Sequence, residues 1–433
     1  MVSETHLLHS TLRISSVLIA LLVLALASLF AAPASAQISF NVLHNFTDGV
    51  DGSFPAGGLT ADTAGSLFGT TCGVACSSTS HSNGTVYRLA ARGTGWVLTP
   101  LYQFRGGNDG VGPTGNITIG PDGSLYGTTF QGGGAGCGGS GCGTVFRLQP
   151  PPTVTPNIFG NWVETVLYRF RGGADGANPE FATLIFDQSG NMYGETSAGG
   201  AYGQGTVFEL SPIPGGWTES VIYTFGAPGD GAEPLGGLNW QCGGTLQGTT
   251  FYGGYGYGTI FQLTPSGSSW TESIVHNFQG GNDGAYPAAG VLTGCVVIGT
   301  TCSQGPNGGG TVFMLNDGLF YHYFTGDPGT IGGPWAPLAG DETGLFGTTY
   351  RDGTYQAGNV FALEGCAGWG YTSLHDFTSG QDGGYPLSNL VVQSGTTTNL
   401  FGTTAAGGAY GGGVIFEISG NLTEMSQCSG LKK

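Results

Sequence analysis

Aspartate, histidine and cysteine are the residues of this sequence that could bind a metal ion, and aspartate shows the most regular spacing. In six places an Asp-Gly pair begins five residues after a phenylalanine, at Asp51, Asp109, Asp175, Asp230, Asp283 and Asp382. Hard cations such as Ca²⁺ prefer several oxygen ligands, so these carboxylates could ring one mouth of a channel as a calcium site. Alternatively, each Asp folds its own turn by accepting backbone N–H bonds while glycine supplies positive φ. Recurrence favours the turn, because a scaffold needs that device in every copy.

Four histidines share another regular place, two residues before the same phenylalanine. They are His44, His276, His322 and His375, and the other copies have Tyr102, Tyr168 and Tyr223 there. A position that accepts either tyrosine or histidine requires a flat, amphipathic ring rather than a metal ligand. We therefore expect no metal site from these histidines.

Acid–base catalysis by two carboxyl groups would need acidic residues that depart from the repeat. Glu195 departs from it by replacing the first threonine of a Gly-Thr-Thr motif, and Glu180 and Glu233 flank recurring prolines. A pair drawn from these residues and Asp175 would suit a carbohydrate-active hydrolase or lyase. Glu195 and Asp175 are the catalytic candidates of that hypothesis, and a non-catalytic binding or structural module is the interpretation that the sequence favours.

Tyrosines among glycines are the candidate ligand-binding residues: Tyr202, Tyr252, Tyr255, Tyr257 and Tyr410. Exposed aromatic rings on a surface of low charge suit stacking on sugar rings, which predicts a glycan or cell-surface polymer as ligand. The alternative is that these tyrosines pack over the neighbouring repeats.

Nine cysteines are predicted to form four disulfides and to leave one thiol. The expected pairs are Cys72 with Cys76, Cys137 with Cys142, Cys242 with Cys295, and Cys366 with Cys428. Cys295 and Cys302 bracket an extended strand, and seven residues at about 3.3 Å each far exceed the reach of a disulfide. Cys302 is therefore the expected free thiol.

A repeat of about 50 residues must position all of these side chains. Its phenylalanine falls at Phe46, Phe104, Phe170, Phe225, Phe278, Phe324 and Phe377. Each copy predicts four short strands, of which the second ends in Gly-Thr-Thr and the third reads Gly-Thr-Val-Phe-x-Leu. Seven such copies predict a seven-bladed β-propeller with four-stranded antiparallel blades. A parallel β-helix is the alternative, but its coils are much shorter than these repeats.

The sequence predicts one domain after an N-terminal leader. Residues 37–433 form the propeller, with blades near 54–104, 113–170, 179–225, 234–278, 287–324, 334–377 and 386–420 plus 37–46. The N-terminal strand lacks three preceding strands, so we expect it to pair with the last blade and close the ring, which removes an exposed edge.

These motifs also carry a family resemblance. The patterns Gly-Gly-x-Asp-Gly-x-x-Pro, Leu-Tyr-Gly-Thr-Thr and Gly-Thr-Val-Phe-x-Leu resemble the repeat of the choice-of-anchor, GloVer-containing tandem repeat proteins. The resemblance covers nearly all of the chain after the leader and implies an exported bacterial repeat protein, often tethered at its C-terminus. After Ile418, however, the chain has no apolar tail of that kind. No established activity follows from the resemblance.

Charge and the N-terminal residues restrict partners and location. The net charge of −17, with ten basic residues, excludes nucleic acid and anionic membranes as partners. Residues 1–36 read as a secretory signal peptide, with an apolar run from Val17 to Leu29 and cleavage after Ala36. An N-terminal membrane anchor is the alternative, although the run is short for one. We expect a secreted, periplasmic or envelope monomer without a transmembrane segment after cleavage, with Ca²⁺ as the one possible cofactor.

Overall fold

The computed structural model describes residues 38–151, 162–292, 297–315, 319–326, 330–341, 344–364, 370–395, 397–420 and 422. Its strands form seven antiparallel sheets in a ring, so the predicted seven-bladed β-propeller is confirmed. Five sheets have four strands, and the sheet of blade 4 has five because its first strand is split. The described residues of blade 5 contribute three. The predicted signal peptide lies outside the described residues.

The strands follow the repeat from blade to blade. Strand β1 is Ser39–Asn45, and blade 1 has β2 (Thr60–Ala61), β3 (Leu67–Thr71), β4 (Thr85–Arg92) and β5 (Gly95–Gln103). Blade 2 has β6 (Thr118–Ile119), β7 (Leu125–Thr129), β8 (Thr144–Gln149) and β9 (Val163–Arg169). Blade 3 has β10 (Ile185–Phe186), β11 (Met192–Thr196), β12 (Thr206–Ile213) and β13 (Gly216–Thr224). Blade 4 has β14 (Gly231–Pro234), β15 (Asn239–Gln241), β16 (Thr245–Gly253), β17 (Thr259–Ser266) and β18 (Ser269–Asn277).

The remaining blades are built in the same way. Blade 5 has β19 (Ile298–Thr301), β20 (Gly308–Met314) and β21 (Leu319–Thr325). Blade 6 has β22 (Ala339–Asp341), β23 (Gly344–Thr349), β24 (Asn359–Glu364) and β25 (Gly370–Asp376). Blade 7 has β26 (Val391–Ser394), β27 (Thr398–Thr404) and β28 (Val414–Gly420). Short 3₁₀ helices occur at Gly73–Ala75, Cys137–Gly139, Gly173–Asp175 and Gly281–Asp283. Among the described residues, no helix has the length and apolar character needed to cross a membrane.

The N-terminal strand closes the ring. Strand β1 pairs antiparallel with β28, with Ser39 opposite Ser419 and Asn45 opposite Val414. It thereby becomes the outermost strand of blade 7, as the sequence predicts. This pairing gives blade 7 its fourth strand and covers the outer edge of β28.

The hydrophobic core lies between neighbouring blades, and the recurring phenylalanine is its centre. All seven of these rings are buried, with exposed fractions of 4% or less. Each packs against the third-strand aromatic ring of the next blade, with ring centroids 4.9 to 5.4 Å apart. In the same order the partners are Tyr87, Phe146, Phe208, Phe261, Phe313, Phe361 and Phe416. Phe46 of β1 packs on Tyr87 of blade 1 in this way, so the same contact joins the two ends of the ring.

The second-strand glycine of each Gly-Thr-Thr motif lies directly beneath that third-strand ring. A Cβ atom on Gly194 would lie 2.5 Å from Cζ of Phe208 and 2.9 Å from Cδ2 of Leu184. The corresponding glycines of the other six blades meet their own third-strand ring at 2.4 to 2.8 Å. The recurring glycine is therefore a requirement of packing, because any side chain would displace the ring that joins two blades.

We expect Gly194→Ala to destabilise the protein by roughly 2–3 kcal/mol, because an added methyl group in a filled core forces the ring and backbone apart. Gly216→Ala in the hairpin of the same blade is the matched control, since its Cβ would meet no heavy atom within 4 Å. Urea unfolding of both variants measures the difference. Equal stability of the two variants would contradict this account of the glycine.

Candidate functional site

One face of the ring carries two kinds of loop from every blade. The connection from the outer strand of one blade to the inner strand of the next lies on this face, as does the hairpin between second and third strands. We call it the loop face. The residue before the recurring proline joins both kinds of loop: the Tyr286 N–H donates to Tyr257 O (2.8 Å), and Tyr286 O accepts from the Cys302 N–H (3.2 Å). Phe54 and Tyr385 make the equivalent two bonds.

This pre-proline residue has a left-handed backbone in most blades, even where it is not glycine. The non-glycine cases are Phe54 (φ 58°), Asn178 (φ 56°), Glu233 (φ 55°), Tyr286 (φ 61°) and Tyr385 (φ 59°). Each such conformation costs about 1 kcal/mol or more for a residue with a Cβ atom. Large side chains are therefore held on the loop face at a measurable cost in stability, which marks this ring of positions as a candidate site.

The recurring Asp builds the turn in which it lies. Asp175 accepts hydrogen bonds from the backbone N–H of Arg171 (2.7 Å) and from the Tyr168 hydroxyl (2.6 Å). Asp283 likewise accepts from the Gln279 N–H (2.8 Å) and from Nε2 of His276 (3.1 Å). The equivalent pairs of bonds occur at Asp51, Asp109, Asp230 and Asp382. These carboxylates thus lie beside the outer strands, and over the described ranges no three His, Cys, Asp or Glu side chains come together as a metal site.

The alternation of tyrosine and histidine is explained by the same bond. Either ring packs edge-on against the recurring phenylalanine, for example His276 on Phe278 at 4.7 Å and Tyr223 on Phe225 at 4.9 Å. The polar end of the tyrosine or histidine ring then forms a hydrogen bond with the recurring Asp. In copy six, where glycine replaces the Asp, burial lowers the pKa of His322 to about 4, and the ring stacks on Tyr371 at 4.1 Å instead.

The two catalytic candidates have different surroundings. Glu195 is buried between blades 3 and 4, and its Oε2 accepts a hydrogen bond from the Gly237 N–H (2.9 Å). Burial raises the pKa of Glu195 to about 8, although the bond from Gly237 opposes this rise. No described residue donates a hydrogen bond to its Oε1. Asp175 is committed to its own turn, so the structure gives these two carboxyl groups no shared partner.

Three of the candidate tyrosines are exposed at one recurring hairpin position. Tyr202, Tyr255 and Tyr410 have exposed fractions of 57%, 68% and 69%. Tyr355 of blade 6, which is not among the tyrosines predicted from the sequence, belongs to the same set with an exposed fraction of 60%. The other two candidates pack on Tyr286: Tyr252 lies 5.5 Å from that ring and Tyr257 lies 6.2 Å from it.

The predicted local disulfides are confirmed. Cys72 is bonded to Cys76 and Cys137 to Cys142, each within a loop-face hairpin. Cys242 is disulfide-bonded, whereas its predicted partner Cys295 lies outside the described residues, as do Cys366 and Cys428. Cys302 is a buried free thiol, as predicted, and burial raises its pKa.

Six aromatic rings form a continuous cluster where the central channel opens on the loop face; one of them, Phe251, is buried with an exposed fraction of 4%, and the other five are partly exposed at its surface. We call this cluster the aromatic mouth; it consists of Phe181, Phe251, Tyr286, Trp335, Tyr350 and Tyr385. Phe251 stacks on Tyr286 (5.2 Å) and on Trp335 (5.6 Å). Trp335 continues to Phe181 (6.3 Å) and to Tyr350 (6.4 Å), and Tyr350 contacts Tyr385 (5.4 Å).

The channel beneath the mouth is narrow. It is a cavity of about 30 Å³ lined by the residues that follow the recurring proline in all seven blades, Phe181 and Trp335 among them. Two polar atoms of its lining are buried without a hydrogen-bond partner among the described residues, the Trp335 Nε1 donor and the Asn389 Oδ1 acceptor. The mouth therefore combines apolar ring faces with unpaired polar groups, the combination expected of a ligand site.

Charged groups flank the mouth on two sides. Glu180 precedes Phe181, and Glu233 on β14 lies opposite Phe251 on β16, because Ala232 pairs with Tyr252 and Pro234 with Thr250. Burial raises the pKa of Glu180, and the charge of Glu233 raises it further. On the other side, the Arg351 guanidinium lies 5.3 Å from the Tyr350 ring and 5.7 Å from the Tyr385 ring.

Most residues of the mouth were not predicted from the sequence, but one signal was present. In copy three, Leu184 follows Pro179 by five residues, whereas in the other copies the matching apolar residue follows its proline by four. The extra residue lies at Glu180–Phe181, where Phe181 has a φ of 52° and its N–H donates to Thr114 Oγ1 (3.1 Å). An insertion that turns a phenylalanine towards the channel is the departure from the repeat that points to this place.

Comparison with solved structures returns other proteins of similar size. A protein of unknown function from Dyadobacter fermentans is 12% identical, with 88% of this chain and 98% of that chain covered and a TM-score of 0.45. The polysaccharide lyase Uly1 is 13% identical, with 90% and 94% covered and a TM-score of 0.47. The β-propeller domain of the Trilobed protease from Pyrococcus furiosus is 6% identical, with 86% and 94% covered and a TM-score of 0.42. At these values the similarities carry no argument about activity.

Comparison with sequences is more specific. No curated protein matches the chain significantly. The model of one family, the Gloeobacter/Verrucomicrobia repeat, matches residues 138–295. That range runs from the second stapled hairpin into copy five, past Pro287, and contains motifs on which the family resemblance was based. Residues 138–295 thus carry the Gloeobacter/Verrucomicrobia repeat, the family that the recurring motifs of this chain resemble.

Proposed function

We propose that this propeller is an exported, non-catalytic binding module that takes glycans on its loop face, at the aromatic mouth. The observation that carries the proposal is the continuous cluster of six rings, five of them partly exposed, from Phe181 and Tyr286 through Trp335 to Tyr385. Ring faces stack on the apolar faces of sugars, while unpaired polar atoms such as Trp335 Nε1 can bond hydroxyl groups. The exposed hairpin tyrosines would extend this surface along a polymer.

Export is part of the proposal. The stapled hairpins Cys72–Cys76 and Cys137–Cys142 support it, because disulfides persist in oxidising compartments outside the cytosol. The predicted cleavage after Ala36 remains to be tested by N-terminal sequencing of the secreted protein.

A glycan array, followed by calorimetry on the best ligand, tests the proposal with protein that begins at Gln37. We expect Trp335→Ala to weaken binding roughly tenfold or more, because a central aromatic anchor contributes on the order of 2 kcal/mol. Trp240→Ala is the matched control: that ring lies on β15, its Nε1 donates to Phe186 O (3.0 Å), and it does not belong to the mouth. Equal losses in both variants, or no glycan bound at all, would refute the proposal.

Two further readouts come from the same protein. Adding a chelator tests the predicted calcium sites at the recurring Asp residues, since loss of binding on chelation would require a bound cation. Release of shortened glycan would instead favour the hydrolase or lyase hypothesis. The observation in favour of that second function is the proximity of Glu180 and Glu233, whose charges interact. In that case Glu180→Gln or Glu233→Gln should abolish product release.

A further inference from the structure

The two halves of the aromatic mouth differ in charge. In the half from blades 6 and 7, the rings of Tyr350 and Tyr385 already face a cation, the guanidinium of Arg351, at 5.3 and 5.7 Å. Such contacts are attractive because the face of an aromatic ring carries negative potential. This half of the mouth shows that its rings are arranged so that a cation can lie against them.

The half from blades 3 to 5 has rings and carboxylates without a cation. Glu233 lies directly across the sheet from Phe251, whose ring stacks on Trp335. Glu180 is adjacent in the chain to Phe181, whose ring contacts the same Trp335 ring with centroids 6.3 Å apart. In the part of the chain that the structure describes, no Arg, Lys or His forms an ion pair with either carboxylate.

Two half-buried carboxylates without a counter-charge are unfavourable unless something neutralises them. The pKa of Glu180 is raised by burial and by the charge of Glu233, and the pKa of Glu233 is raised by burial. Glu233 in turn adds to the rise that burial causes in the pKa of Tyr252 at the edge of the mouth. A ligand cation placed between the carboxylates would relieve this repulsion, and the surrounding rings would favour it as well.

We propose that the blade 3–5 half of the mouth, together with Trp335 of blade 6, binds the ammonium group of an amino sugar, with Glu180 and Glu233 as its counter-ions and the Trp335 and Phe181 rings against its sugar face. This inference rests on the proposed function and adds the class of sugar. A polymer of glucosamine units presents such a group on every ring. The net charge of −17 would draw that polycation towards the protein, whereas an acidic polysaccharide would be repelled.

Calorimetry with two oligosaccharides of equal length tests the inference: a fully deacetylated glucosamine oligomer and its N-acetylated counterpart. We expect the deacetylated oligomer to bind at least tenfold more tightly to the full chain from Gln37. The double variant Glu180→Gln, Glu233→Gln should lose this preference and bind both oligomers about equally. Glu417→Gln, on the third strand of blade 7, is the matched control for a change of net charge and should keep the preference.

The outcomes separate the two proposals. If both oligomers bind the wild-type protein equally, through a site that Trp335→Ala weakens, glycan binding stands and the amino-sugar inference is wrong. If the preference exists but survives in the double variant, a different part of the surface recognises the ammonium group, and the inference is again wrong. If no glycan of any class binds, the proposed function fails and the inference fails with it. Circular dichroism of each variant confirms that the fold is retained.

Discussion

Replacing Glu195 by Gln is expected to stabilise the protein, and the gain should grow as the pH rises. Glu195 is buried without a charged partner, and burial raises the pKa of this carboxyl to about 8. Because the folded-state pKa lies above the unfolded value of 4.5, its contribution to stability is fully present below about pH 4.5 and is lost as the pH rises towards 8. Gln cannot ionise, so a Gln variant does not lose this contribution.

The expected gain is large enough for ordinary unfolding experiments. Between pH 5 and pH 8 the advantage of Glu195→Gln over the wild-type protein should increase by roughly 3 kcal/mol, since each pKa unit corresponds to about 1.4 kcal/mol. Urea unfolding at a series of pH values measures it. Parallel pH profiles of the two proteins would show that Glu195 does not titrate as its burial requires.

A second variant distinguishes ionisation from packing. At the place of Glu195 the other six copies have threonine, and in five of them its hydroxyl donates to a carbonyl of the next blade, as Thr128 does to Pro179 O (3.2 Å). Glu195→Thr should therefore flatten the pH profile just as Gln does, even if the smaller side chain leaves a cavity. A threonine variant with the wild-type profile would assign the effect to another group.

The fold was predictable because the same pattern of strands and turns recurs seven times in the sequence. The recurring phenylalanine packs on the aromatic ring of the third strand, and that ring packs on the glycine of the Gly-Thr-Thr strand. These three residues form one packing unit. A single copy would be ambiguous, but the same spacing in seven copies fixes the number of blades and the order of strands. Closure by β1 followed from a strand that had no partners of its own.

The site was much less predictable, for a physical reason. Residues of the aromatic mouth come from five blades, and most of them, such as Phe181, Trp335 and Tyr350, follow either the pre-proline turn or the Gly-Thr-Thr strand. Their convergence depends on the curvature of the closed ring and not on any local pattern. The sequence could show that copy three departs from the repeat at Glu195 and at Glu180, and both residues lie at the interfaces of blade 3. It could not show that Trp335, which lies three blades further along the ring, would complete the same surface.

A second pH-sensitive group of residues lies on the outer strands of blades 1 to 4. Each of the three interfaces between these neighbouring blades contains a tyrosine, an aspartate and a glutamate. Between blades 2 and 3, the Tyr168 hydroxyl donates to Asp175 (2.6 Å) and lies 3.3 Å from Oε2 of Glu219. A phenol has only one proton, so a protonated Glu219 can donate to the oxygen of Tyr168 while the Tyr proton goes to Asp175. The equivalent groups are Tyr102, Asp109 and Glu164 between blades 1 and 2, and Tyr223, Asp230 and Glu272 between blades 3 and 4.

The partner of the outer-strand ring differs where that ring is histidine. His375 stacks on Phe40 at 3.8 Å and His322 on Tyr371 at 4.1 Å, at the place that Glu219 takes beside Tyr168. The aromatic partner suits a neutral imidazole ring, whereas the glutamate suits a hydroxyl group that can accept a proton. At these five interfaces the outer-strand ring and its partner therefore match, and among the described residues the glutamate partner belongs to the interfaces of blades 1 to 4.

We expect the three Tyr–Asp–Glu interfaces to make the free energy of unfolding fall between pH 5 and pH 8. Burial, together with the nearby Asp charge, raises the pKa of Glu164, Glu219 and Glu272 to about 7, although Arg105 and Arg169 beside Glu164 and Arg171 beside Glu219 oppose the rise. These raised values mean that the stabilising contribution is complete below about pH 4.5 and is lost as the pH passes 7. Because the three groups are only half-buried, solvent screening reduces the effect to about 1 kcal/mol for each interface.

The triple variant Glu164→Gln, Glu219→Gln, Glu272→Gln tests this expectation when its unfolding free energy is followed from pH 5 to pH 8. It should lose less stability than the wild-type protein over that range, by about 3 kcal/mol in total. Glu209→Gln on β12 is the matched control, because that carboxylate accepts from the Ser211 hydroxyl (3.0 Å) and belongs to none of the three interfaces. A triple variant with the wild-type slope would mean that these glutamates stay ionised in the folded protein, and the proton shared across each blade interface would then not exist.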